Sequence, residues 1–168
     1  MTISMYQSSV PVFINKLENL SAILDKGAAD AETRKIDPSV FVNARIAPTM
    51  FSLSRQVQIA CDTAKAGAAR LAGIEPPAFE DSETTFPQLK ERIANTIKFL
   101  QSIDAAKIDG SEDRKITYTQ RGKESNFIGQ PYLLNYVLPN LYFHITTTYL
   151  ILRNNGVEVG KRDFLGNL

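Results

Sequence analysis

Apolar residues recur every three or four positions along four stretches of the chain. At Ile3, Tyr6, Val10, Phe13, Leu17, Leu20 and Leu24 they draw one stripe down a helix of about six turns. Pro11 lies inside that run and has no backbone donor, so the helix is either kinked or begins there. Gly27 is its expected end, followed by a loop rich in Ala and Asp. A second stripe, Met50, Leu53, Val57, Ala60, Cys61, Ala64, Ala68 and Leu71, closes at Gly73. Its many small residues allow a neighbouring helix to approach closely. After the loop "IEPPAFEDSE", the segment "TFPQ" (Thr85 to Gln88) has the spacing of a capping box. It opens a third helix, striped by Leu89, Ile93, Thr96, Ile97, Leu100 and Ile103, with Lys90, Glu91, Arg92 and Lys98 falling mostly away from the seam.

The helical period then breaks. In "IDGSEDRKITYTQRGKESNFIG", Ile116 and Tyr118 alternate with Thr117 and Thr119 and "RGK" supplies a turn, which predicts a short exposed hairpin or an extended loop. The last helix is predicted from about Pro131 to Asn155, bent or interrupted at Pro139, with Asn155 and Gly156 as its stop. On a helical wheel Leu134, Val137, Leu138, Leu141, Ile145, Thr148 and Leu152 share one face. His144 lies on the shoulder of that face, about 60° from Leu141, and Asn140 precedes it by one turn on the same side. Four stripes without a convincing second strand system predict an all-α fold, a four-helix bundle forming a single domain over residues 1–168.

Composition narrows the class. A chain of 168 residues is long enough to bury roughly 70% of its unfolded surface in one core. Lys plus Arg (19) nearly balances Asp plus Glu (18), and no basic run is interleaved with aromatics, so no nucleic-acid partner is expected. The single cysteine, Cys61, has no internal disulfide partner. With no signal-peptide pattern in "MTISMYQSSVPVF" and no lipidation motif, a cytoplasmic location is expected. From Ser125 to Leu152, 28 residues carry no formal charge, enough to cross a bilayer. Asn126, Gln130, Asn135, Asn140, His144 and Thr146 to Thr148 make that run polar, however, and Pro131 and Pro139 interrupt it. The central helix of a soluble bundle is the better account, with no membrane partner.

The candidate chemistry gathers around His144, the only histidine. One reading is a polar pocket that binds a small molecule, with His144 as proton acceptor, Asn140 and Tyr142 or Thr148 beside it, and Ser54 and Gln58 of the second helix in hydrogen-bonding reach. The other is a neutral histidine satisfied by a carbonyl or hydroxyl at the edge of the core. A zinc-like site needs three or four side-chain ligands, and one histidine with one cysteine falls short, so no cofactor is expected. His144 is the single metal-ligand candidate, and carboxylates would have to complete a divalent site. Cys61, on an apolar stripe, is expected to be inert. In the tail "GVEVGKRDFLGNL", Val157, Val159, Phe164 and Leu165 should dock on the bundle or on a second subunit. Lys161 and Arg153, oriented by Asp163, either face an anionic ligand or form a surface ion-pair cluster.

Three segments carry a resemblance: "MYQSSVPVFINKLENL", "RQVQIACDTAK" (Arg55 to Lys65) and "GQPYLLNYVLPNLYFHITTTYLILRNNGVEVGKRDFLG" (Gly129 to Gly166). Together they resemble the bacterial family called domain of unknown function nineteen ninety-three, over nearly the whole chain. That family is similar to the DinB-like superfamily, which implies a four-helix bundle and a homodimer. Members with known activity hold a divalent metal with one histidine on the second helix and an H-x-x-x-H pair on the fourth, and some are thiol-dependent transferases or hydrolases. His144 matches the second histidine of that pair, Asn140 stands where the first would be, and the second helix has no histidine. A metal-dependent enzyme and a purely dimeric interaction module are therefore the two alternatives to a small-molecule binder.

Overall fold

Pro11 decides where the first helix begins. In the computed structural model, which describes residues 3–120 and 122–166, α1 spans Val10–Thr33 with Pro11 in its first turn. There the missing N–H would have had no helical partner anyway. Ile3 and Tyr6 lie ahead of the helix, and Ile3 is exposed. Gly27 does not end α1, contrary to expectation, and the Ala- and Asp-rich stretch after it is helical. The glycine is there for packing: a Cβ at position 27 would meet Leu152 at 3.0 Å and Phe86 at 3.3 Å. No apolar stripe announces the short helix α2 (Pro38–Val42), whose N-terminus is capped by the Asp37 side chain accepting from the Ser39 amide.

α3 (Leu53–Ala72) follows its apolar stripe and stops at Gly73, which adopts the left-handed conformation with φ 69°. Thr85 and Gln88 form the expected capping box at the start of α4 (Phe86–Gln101). After a short α5 (Ala105–Ile108), β1 (Lys115–Gln120) and β2 (Lys123–Ile128) pair antiparallel, in a register running from Lys115 opposite Ile128 to Gln120 opposite Lys123. The turn "RGK" contains Gly122 at φ 74°, while Arg121 lies outside the described residues. The fold is thus mostly helical, but with a two-stranded sheet, and the all-α expectation is corrected to that extent.

The last helical stretch is wound in two pitches. α6 (Gly129–Tyr132) leads into a π turn over Leu133–Val137, and α7 (Leu138–Asn154) continues from there. Pro139, in the first turn of α7, would clash with the carbonyl four residues earlier in an ordinary helix; widening the preceding turn relieves the clash. The Leu138 amide bonds to the Leu133 carbonyl five residues back, and the Asn140 side-chain amide donates to the Tyr136 carbonyl at 2.7 Å. The wider turn advances the phase by about one residue. Leu133 is buried in consequence, and Leu134, expected on the core face, is 48% exposed, while Val137 keeps its expected place in the core.

α1 packs on α4 and α7, and α3 packs on the same two helices. Phe13, Leu17, Leu20, Leu53, Val57, Leu89, Leu141 and Ile145 are sealed in the shared interior, each contributing about 1.5–3 kcal/mol through burial. The tail docks on its own chain: Val157 and Val159 are buried, and α8 (Lys161–Leu165) lies on α1. Lys16 and Asn19 donate to the carbonyls of Phe164 and Leu165. No helix among the described residues is long and apolar enough to cross a membrane.

Candidate functional site

A cavity of about 400 Å³ opens between α3 and the last helical stretch. One face of α3 lines it with Arg55, Ile59, the adjacent pair Asp62 and Thr63, Ala66 and Arg70, a spacing that returns to the same side at each turn. Opposite stand Tyr132, Tyr136, Val137, Asn140 and His144, with Tyr118 of β1 closing one end. The two walls come close at Gly67, where a Cβ would lie 2.6 Å from Val137.

His144 is 9% exposed, and its protonation is fixed by a short relay. The Gln56 side-chain amide donates to the Phe51 carbonyl at 3.3 Å, which turns its oxygen towards the imidazole. That oxygen lies 2.7 Å from His144 Nδ1, so Nδ1 carries the proton and donates, leaving Nε2 as an acceptor. Burial, and secondarily the charge of Arg55, pushes the His144 pKa down, which keeps the ring neutral. The expected partners do other work. Ser54 pairs with Ser52, while Gln58 accepts from Arg55 and donates to Glu83. Gln56 was not among the expected partners, although it lies on the α3 stripe itself, three residues after Leu53 and four before Ala60. Thr148 is buried and donates to the His144 carbonyl at 3.0 Å.

The far end of the cavity holds aromatic hydroxyls. Arg70 donates to the Tyr132 hydroxyl at 3.0 Å, and its guanidinium lies 4.0 Å from the centre of the Tyr118 ring. The Tyr118 and Tyr136 hydroxyls bond to each other, and the Tyr132 and Tyr136 rings stack at 5.7 Å. Burial raises the pKa of both Tyr118 and Tyr132, so these phenols stay protonated.

Of the residues singled out in the sequence, the cavity therefore brings together His144 and Asn140. Tyr142 points outwards from α7 and is 36% exposed. Arg153 and Lys161 are exposed and do not line the cavity. Asp163 pairs with Lys26 at 2.7 Å and accepts from the Gly160 amide at 2.8 Å; these two contacts hold its carboxyl below the usual range. Cys61 is buried in the core, and desolvation pushes its thiol up to about 12.

Arg92, expected away from the seam, has a side chain only 1% exposed. It donates to Asp62 and Glu83 at 2.9 Å and to the Glu80 carbonyl at 3.0 Å, and it pairs with Asp81 at 3.0 Å. Lys65 also pairs with Asp62 at 3.0 Å, and Arg55 pairs with Asp81. This knot straps the acidic loop over residues 74–85 onto α3 and α4, and through Asp62 it sets part of the cavity lining.

The donors near His144 do not fit the metal site that the superfamily resemblance implies. Nδ1 is committed to Gln56, the position one turn before is an amide, and α3 supplies no second imidazole. Among the described residues no group of three or more His, Cys, Asp or Glu is placed to hold a metal ion.

Comparison with known proteins places this architecture. A crystal structure of a DinB family member protein from Shewanella denitrificans is 46% identical, covers 97% of this chain and 92% of its own, and superposes with a TM-score of 0.88. None of the curated proteins matches. The family model described as "Domain of unknown function (DUF1993)" matches residues 5–165. Since that match runs from ahead of the first helix through the docked tail, the chain belongs to the DUF1993 family.

Proposed function

We propose that this protein is a cytoplasmic four-helix-bundle protein that binds a small organic molecule in the cavity beside His144. The observation that carries the reading is the half-used imidazole. The relay from Phe51 through Gln56 secures one nitrogen and fixes the ring at the cavity wall, so the other is left to water or to a ligand. Among the described residues nothing bonds to Nε2. Asn140 repeats the pattern: one N–H of its amide goes to the Tyr136 carbonyl, which fixes the group and leaves its oxygen as an acceptor. A concave site with a few oriented polar groups is what a small ligand requires, and these two acceptors select a ligand with N–H or O–H donors.

The test is a fragment screen by thermal shift, followed by NMR of the imidazole nitrogens. A true ligand should raise the melting temperature, by an amount equivalent to about 2.7 kcal/mol at a hundredfold excess over Kd. It should also move the His144 Nε2 resonance, and its effect should vanish in His144→Leu. Binders that stabilise the protein equally in wild type and His144→Leu would refute the assignment to this cavity.

A further inference from the structure

The end of the cavity away from His144 is rich in donors and short of acceptors. Arg70 brings the N–H groups of a guanidinium, one of them given to the Tyr132 hydroxyl. Because the Tyr132 oxygen accepts that bond, its own proton is left to donate. The mutual bond of Tyr118 and Tyr136 consumes one of their two protons and leaves the other.

Charge tells the same story. Arg55, Lys65 and Arg92 each pair with Asp62, Asp81 or Glu83. Among the described residues no carboxylate pairs with Arg70. Asp62, the one acid lining the cavity, is held by Arg92 and Lys65 and is therefore compensated. A partly buried guanidinium fixed over an aromatic ring is pre-organised, and its fork matches a carboxylate or phosphate.

We infer that the ligand is a compact organic anion whose carboxylate or phosphate group is held by Arg70 and the hydroxyls of Tyr132 and the Tyr118–Tyr136 pair, with an N–H or O–H donor directed at Asn140 and His144. This assignment rests on the cavity being a binding site, as proposed above, and adds the chemical class. Tyr136 and Asn140 lie about one turn apart on the same wall of the cavity, so one compact molecule carries both the anionic group and the donor.

Titrating the full chain with 4-hydroxyphenylacetate, phenyl phosphate and the uncharged 4-hydroxybenzyl alcohol, followed by NMR, tests this. At least one anion should bind about tenfold more tightly than the alcohol and shift the Arg70 side-chain signal, and that preference should collapse in Arg70→Met. Tyr132→Phe keeps the ring and should weaken the anion several-fold; it serves as the probe if Arg70→Met does not fold. Equal affinity for the alcohol and both anions, with shifts at Asn140 and His144, would overturn the anion assignment and leave the binding cavity standing. No shift at any cavity residue with any of the three probes would overturn both.

Discussion

His144 and Leu141 sit three residues apart on α7 and should answer truncation differently. Leu141 is sealed in the core, and Leu141→Ala should cost about 2–5 kcal/mol in urea unfolding through the cavity it leaves. His144→Ala should cost clearly less, because its ring borders a space already open and Gln56 can turn its oxygen towards it. The pH dependence separates them further. Folding lowers the His144 pKa, so below the ordinary imidazole value the unfolded chain binds a proton that the folded chain refuses. His144 therefore supports full stability above that value and loses it as pH falls from there towards the lowered folded pKa, a slope that His144→Ala should flatten. At this scale the sequence told of the imidazole at the margin of the core, since Leu141, Ile145 and Thr148 define that face. It did not disclose the partner: a glutamine on an apolar stripe carries no mark of the carbonyl that orients it.

Among the elements, those with strong periodicity or caps were legible: α3 with Gly73, the Thr85–Gln88 box and the alternation of β1. Three features went against the local signals for one physical reason, that a neighbour overrides propensity. Gly27 continues α1 because Leu152 needs its space. Leu134 faces outwards because Pro139 forces a wider turn before it. Arg92 is buried because loop carboxylates, remote in sequence, converge on it. The strap this creates is testable. Arg92→Met should destabilise the fold by about 2–4 kcal/mol, toward the lower side of buried-pair disruption because Asp62 and Asp81 remain partly hydrated. Limited proteolysis should cut first over residues 76–84, and hydrogen exchange should lose protection over the facing parts of α3 and α4, with α1 little changed. A uniform loss across all helices would show that Arg92 does not hold the loop specifically.

For the molecule as a whole, Cys61 is a built-in reporter. It is fully buried on α3, and its thiol is held protonated by desolvation, so an aromatic disulfide reagent near pH 8 should reach it only after global opening. Labelling should follow the unfolding equilibrium measured by circular dichroism; fast labelling in native buffer would show that α3 opens on its own. The helical assembly and the docked tail could be read from apolar stripes, because burying them admits few arrangements. The cavity could not, since its two ends are built from helices, a π turn and a strand far apart in sequence. The extra residue wound in before α7 has its own consequence here. It works as an angular setting: rewinding that turn to ordinary pitch would swing the tyrosine end by about 100° against the imidazole end. The donor-rich and acceptor-rich halves share one chamber at this setting alone, so inserting or deleting a residue between Tyr132 and His144 would part them without touching either.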